Sequence, residues 1–187
     1  MKLLNIFLGE HVPNEIVGDI IAVDCFGINL INAGHVNFIS IGDFDSCVND
    51  EFKQLEKHSL VKKFPAVKNE GDLELAILYG IENNYTHVLV HNIFCGNRVD
   101  HFINNILIFK KYKDRIDLRV KDEFNYMYFL KNNNMVYKSN YKYISLIILE
   151  NVKNLLISDD FKYQVNGYVY QFDTRFISNE LINNQGS

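Results

Sequence analysis

Six short apolar runs, Leu3–Leu8, Ile20–Val23, Phe38–Ile41, Leu60–Phe64, Val88–Ile93 and Ile116–Val120, recur up to about residue 117, separated by stretches of helical spacing. Near-continuous apolar runs are what strands covered on both faces require, so the alternation predicts a mainly parallel sheet flanked by helices. The clearest helices are expected over Asp72–Glu82 and Asp100–Lys111. In the first, Leu73, Ala76, Ile77, Gly80 and Ile81 recur at i, i+3, i+4, i+7 and i+8, which gathers them on one buried face. Gly71 then stands at the N-cap and Asp72 in the first turn.

Beyond about residue 118 helical periodicity disappears. Tyr/Phe-rich runs take over at Tyr126–Leu130, Val136–Lys138, Tyr143–Leu149, Leu155–Ile157, Phe161–Val165 and Tyr168–Phe172, broken by Asn- and Asp-bearing turns. That texture predicts antiparallel β structure. We therefore expect an α/β domain over residues 1–117 and a small all-β domain over 118–187.

The 187 residues carry 48% hydrophobic side chains, enough for a sizeable core, and a net charge of -4. No Lys/Arg stripe is interleaved with aromatics, which argues against a nucleic-acid surface. No run approaches the roughly 20 apolar residues of a membrane span. Lys2 and the run after it resemble the start of a signal peptide, but Asn5 interrupts it and Gly9, Glu10 and His11 follow without a small-residue cleavage pattern. Cys25, Cys47 and Cys95 are odd in number and lack CxxC spacing, so neither a disulfide framework nor a zinc ribbon is expected. A reducing cytoplasm fits that usage.

Three constellations could carry chemistry. Gly42-Asp43-Phe44-Asp45-Ser46 directly follows a predicted strand, and the carboxyl ends of parallel strands are where open α/β sheets bind ligands. Two carboxylates one residue apart can converge on a hard cation; equally, Asp45 or Ser46 could cap a helix beginning near Asn49. Asp72, after Lys68-Asn69-Glu70-Gly71, could supply a third oxygen for Mg²⁺ or merely serve the helix dipole, and Lys68 could reach a phosphate. In Gly96-Asn97-Arg98-Val99-Asp100-His101, Arg98 offers a planar fork for phosphate oxygens, while Asp100 could simply cap the following helix. The histidines form no metal pattern, and there is no GxxxxGK[ST] loop, GxGxxG turn or protein-kinase signature. Any ATP must be held through Mg²⁺ and dispersed polar groups.

Taken in order, Ala22-Val23-Asp24, Ile41 to Ser46, Lys68-x-x-x-Asp72-Leu73-Glu74, Gly96-x-Arg98-x-Asp100-His101-x-x-x-Asn105, and Ile177-Ser178-Asn179-Glu180 resemble the thiamine pyrophosphokinase family over nearly the whole chain. The resemblance implies an N-terminal α/β domain with a mainly parallel, Rossmann-like sheet and a C-terminal β-sandwich. It also implies a homodimer with a composite active site, and Mg²⁺-dependent transfer of pyrophosphate from ATP to the thiamine hydroxyl. Asp43, Asp45 and Asp72 fall on the family's metal-binding carboxylates. Asp24, Lys68, Arg98 and Asp100 fall on the nucleotide and phosphate side, and Ser178 and Asn179 on the segment that meets thiamine across the dimer.

The family's usual Lys-Asp-x-Thr-Asp here reads Lys68-Asn69-Glu70-Gly71-Asp72, its second Gly before the Arg is Asn97, and its Asp-Gly-Gly is Asp24-Cys25-Phe26. The family also usually carries another strand or two after Ser-Asn-Glu, which implies either a missing edge strand or a truncated sequence. These departures define a rival expectation, a catalytically impaired member that binds thiamine or nucleotide. A Mg²⁺-dependent phosphohydrolase built on the DxD would leave Ser178-Asn179-Glu180 unexplained.

Overall fold

The computed structural model describes residues 2–67, 69–94 and 98–187. The chain forms two compact units, Met1–Phe129 and Leu130–Ser187.

The first unit is built on strands β1 (Leu3–Phe7), β2 (Asp19–Val23), β3 (Phe38–Gly42), β4 (Ser59–Lys63), β5 (His87–His91), β6 (Asp117–Lys121) and β7 (Tyr126–Tyr128) in the order β4-β3-β2-β1-β5-β6-β7. All neighbours pair in parallel except β7, which returns antiparallel on β6. Helices α1 (Gly27–Asn32), α2 (Asn49–His58), α3 (Asp72–Glu82) and α4 (Val99–Tyr112) make the crossovers. The strand alternation separates two cores. Leu4, Ile6, Ile21, Val23 and Ile41 pack with α3 and α4 residues such as Ile77 and Phe109, while Phe7, Ala22 and Phe38 pack with Leu30 of α1 and Leu55 of α2. Period-two side chains thus cover both faces of a parallel sheet, as the unbroken apolar runs demand.

Among the described residues no helix is long and apolar enough to cross a membrane. Glu74 ties the start of α3 to the end of α4, accepting hydrogen bonds from Lys111 Nζ and Tyr112 Oη at 2.6 Å each. Burial alone pushes the Glu74 carboxyl up, but those two bonds outweigh it and hold the carboxyl below its ordinary range.

The second unit contains β8 (Val136–Tyr137), β9 (Val152–Ile157), β10 (Val165–Val169) and β11 (Gln185–Gly186), paired antiparallel as β9 with β10 and β8 with β11. Its remaining extended segments are held irregularly. Tyr143–Leu149, expected as a strand, makes one isolated bridge, Ile144 with Asn179, because its partner segment turns through left-handed residues at Phe172 (φ 64°) and Ser178 (φ 59°). Phe161–Val165 likewise bridges only at Phe161 with Leu181 before β10 begins.

The structure corrects the expected domain boundary. Residue 117 opens β6 rather than closing a domain, and the Tyr126 run adds a strand to the first sheet, so the division falls at Phe129/Leu130. Aromatic alternation at Tyr126 looks the same whether its partner lies in the first sheet or the second.

Ile77 is fully buried between α3 and the sheet. Ile77→Ala should cost about 2–5 kcal/mol, read as a lower denaturant midpoint at unchanged m value. A loss below about 1 kcal/mol would contradict this packing of α3.

Candidate active site

Parallel pairing places Val23 of β2 opposite Ile41 of β3, so the residues that follow leave the sheet side by side at its carboxyl edge. Asp24 takes a left-handed conformation there (φ 55°) and opens a single 3₁₀ turn, Asp24–Phe26. Gly42 eases this approach, because a Cβ on it would lie 3.0 Å from the Asp24 Cα and push on the backbone there. One residue on, Phe44 is also left-handed (φ 60°) and buries its ring in the α1/α2 core. Such a conformation is costly for an aromatic residue, and the buried ring offsets it. Asp43 and Asp45 flank this anchor, with the Asp45 N–H donating to Asp43 Oδ1 at 3.2 Å.

Asp24, Asp43 and Asp45 consequently bring carboxylate oxygens within 4.8 Å of one another. Ser46 Oγ donates to Asp24 Oδ2 at 2.8 Å, whereas the other oxygen, Asp24 Oδ1, is buried and has no hydrogen-bond partner among the described residues. Burial pushes the Asp24 carboxyl up, the Ser46 hydroxyl pulls it back, and the charges of Asp43, Asp72 and Asp45 push it further. An orphaned buried carboxylate oxygen among like charges is expensive in the bare protein. A hard divalent cation such as Mg²⁺ would relieve it, and this all-oxygen donor set fits one.

Helix α2 takes its N-terminal cap from Glu51, whose carboxylate accepts from the Val48 N–H at 3.2 Å. Asp45 and Ser46 are therefore not consumed in capping that helix. Asp72 stands in the first turn of α3, within electrostatic reach of Asp24, but outside the tight group of three. Arg98 occupies the N-cap of α4 and forks onto Asp100, with Nε to Oδ1 at 3.0 Å and Nη2 to Oδ2. The Arg98 guanidinium holds the Asp100 carboxyl down to about 2. Both side chains are solvent-exposed, 67% and 61%. Lys68, Gly96 and Asn97 lie outside the described residues.

In the second unit Ser178 is exposed, and its N–H donates to Ser145 Oγ at 3.0 Å. Asn179 is buried; its Oδ1 accepts from the Tyr163 and Glu180 N–H groups and its Nδ2 donates to the Tyr163 carbonyl. Asn179 therefore fixes the turn that presents Ser178.

Two features escaped the sequence reading. Asp24 groups with the DxD rather than standing apart, a consequence of β2–β3 register that spacing along the chain does not reveal. The cysteines also differ from expectation: Cys25 and Cys47, 22 residues apart, form a disulfide with Cα atoms 5.5 Å apart. The same register brings their two loops together, so sequence spacing alone gave no sign of the pair. A cavity of about 280 Å³ lined by Asp19, Asn37, Phe38 and Tyr85 opens instead at the starts of β2 and β3, away from the carboxylates.

An open, mainly parallel sheet with polar side chains gathered at its carboxyl edge is the architecture in which α/β proteins bind ligands. Residues 12–120 match the family model for the thiamin pyrophosphokinase catalytic domain, and residues 132–187 that for the thiamin pyrophosphokinase vitamin B1 binding domain. This chain belongs to the thiamine pyrophosphokinase family. It is 30% identical to the thiamine pyrophosphokinase of Bacillus subtilis over 100% of its own length and 93% of that protein. The crystal structure of a B. subtilis thiamine pyrophosphokinase superposes with a TM-score of 0.84 at 29% identity, covering 99% of this chain and 92% of that one. A thiamin pyrophosphokinase family protein from Enterococcus faecalis shares the fold at a TM-score of 0.85 and 20% identity, covering 100% and 92%.

The raised Asp24 carboxyl sets a pH dependence. The folded state holds this proton more tightly than the unfolded chain, whose ordinary value is 3.8. Without a cation its contribution is therefore fully present below that value and is lost as pH rises through the folded group's titration. Asp24→Asn should raise the melting temperature of the metal-free protein at pH 7, and Mg²⁺ should stabilise the wild type more than the variant. A lower melting temperature for metal-free Asp24→Asn would contradict this account.

Proposed function

We propose that this chain transfers a pyrophosphoryl group from ATP to the hydroxyethyl arm of thiamine, giving thiamine diphosphate and AMP, with Mg²⁺ as its cofactor. The observation that carries the reading is the three-carboxylate cluster with its partnerless buried oxygen, at the ligand-binding edge of a chain matching both family domains. Asp24, Asp43 and Asp45 would hold the cation, with Asp72 adding negative charge beside them. When bound, Mg²⁺ neutralises charge on the triphosphate and fixes its orientation.

The thiamine hydroxyl oxygen attacks the β-phosphorus, the bond from that phosphorus to the α–β bridging oxygen breaks, and AMP departs with that oxygen. The hydroxyl proton passes to solvent as the new bond forms; a loose transition state needs little help from a strong base. Arg98 exchanges its exposed Asp100 partner for phosphate oxygens, which its planar fork matches. Asp100 keeps that guanidinium oriented until the nucleotide arrives, and Lys68 adds a second cation. Ser178, on the turn fixed by Asn179, meets the thiamine pyrimidine.

We assign the enzyme to the cytoplasm as a homodimer. The exposed aromatics Tyr163, Tyr168 and Tyr170 of the second unit support self-association, since interfaces are enriched in tyrosine.

Purified protein supplied with ATP, Mg²⁺ and thiamine should produce AMP and thiamine diphosphate in equal amounts. ADP with thiamine monophosphate, or no thiamine-dependent product, would overturn the reading. Asp43→Asn should lower kcat/KM on the order of 100-fold or more, because a neutral amide holds the cation poorly. Unchanged turnover would remove Asp43 from the site. Arg98→Lys should reduce kcat/KM for ATP by keeping charge but losing the fork. An unchanged value would place Arg98 elsewhere.

A further inference from the structure

The Cys25–Cys47 disulfide joins the two loops that carry the carboxylates. Cys25 adjoins Asp24, and Cys47 follows Asp45 by two residues. The residue between Asp45 and Cys47, Ser46, binds Asp24 Oδ2 at 2.8 Å and touches Cys25 Sγ at 3.5 Å. Both cysteines are partly exposed rather than buried, and exchange with a small thiol or disulfide depends on such access. Their Cα separation of 5.5 Å lies within the span that a disulfide bridges.

We propose that Cys25 and Cys47 form a thiol–disulfide exchange site that sets how tightly the carboxylate cluster grips its cation. The inference rests on the divalent-cation reading above. Asp24, Asp43 and Asp45 repel one another, and the loops that carry them are tied by Ser46, which bonds Asp24 Oδ2 and reaches Cys25 Sγ, and by the sulfur bridge. With the bridge closed, the loops are already confined where the oxygens converge, and a cation bears less of the cost of ordering them. With the bridge open, repulsion spreads the loops and the cation must gather them.

Oxidation by a low-molecular-weight disulfide, RSSR, is balanced. One cysteine thiolate attacks RSSR, forming a mixed disulfide and releasing RS⁻; the other cysteine attacks the mixed disulfide, closing the Cys25–Cys47 bond and releasing a second RS⁻. In sum, two protein thiols and RSSR give one protein disulfide and two RSH. The protein loses two electrons and RSSR gains them. In a reducing compartment such a bond is transient and reversible, which suits a regulatory tie more than a permanent brace.

The test uses the full chain equilibrated in glutathione buffers of varied reduced-to-oxidised ratio. Free thiols are trapped by alkylation, and peptide mass mapping separates the 25–47 linkage from any involving Cys95. Each form, freed of buffer, is then titrated with Mn²⁺ and the free ion followed by electron paramagnetic resonance. The 25–47 linkage should rise with oxidised glutathione, and the oxidised protein should bind Mn²⁺ at least about fivefold more tightly than the reduced one. Cys25→Ser and Cys47→Ser should each show the reduced affinity at every ratio. Absence of the 25–47 linkage, equal Mn²⁺ affinity in both forms, or persistent redox dependence in both variants would overturn this inference while leaving the cation site standing. No Mn²⁺ binding in either form would overturn the cation site and this inference with it.

Discussion

The pairing of β2 with β3 brings Asp24 so close to Gly42 that a Cβ there would lie 3.0 Å from the Asp24 Cα. Everything distinctive at this edge depends on that approach. It places the Asp24 carboxylate against the Asp43-Phe44-Asp45 turn, sets three like charges within reach of one another, and closes the gap between Cys25 and Cys47. Hydrophobic packing below sets the strand ends at this spacing, since Val23 and Ile41 are buried in the α3/α4 core and Phe44 in the opposite one. The chain uses packing free energy to assemble a repulsive cluster in which one carboxylate oxygen is buried with no partner among the described residues. Such an arrangement makes physical sense as a cation-binding site.

Much of the first unit was legible because its signals are local. Continuous apolar runs mark β1 to β6, and the spacing from Leu73 to Ile81 marks α3 with Asp72 in its first turn. The DxD was equally visible as two carboxylates after a strand. What the sequence concealed depends on lateral register between strands distant along the chain. Asp24 lies 19 residues before Asp43, and Cys25 lies 22 before Cys47, and neither interval resembles a motif. The second unit was read less well for a related reason. Extended aromatic segments such as Tyr143–Leu149 announce β conformation, but left-handed residues at Phe172 and Ser178 decide whether a partner pairs continuously.

The candidate phosphate-binding pair shows a similar division. Arg98 and Asp100 are recognisable from type and spacing, and the structure adds that they neutralise each other on the exposed start of α4. Exposure keeps the fork available for exchange, because an ion pair in water is only weakly held. Asn179 illustrates the opposite case. The resemblance leads one to expect it in a segment that meets thiamine, yet its hydrogen bonds go to the backbone around Tyr163 and Glu180. Its contribution is to the shape of the turn at Ser178.

The central claim is that Asp24, Asp43 and Asp45 together form one divalent-cation site. Crystals grown with Mn²⁺ and a non-hydrolysable ATP analogue, recorded at the manganese absorption edge, test it directly. The account predicts an anomalous peak bonded to oxygens of these three carboxylates. A manganese ion held elsewhere in the molecule, with the three carboxylates bound only to solvent or to one another, would contradict it.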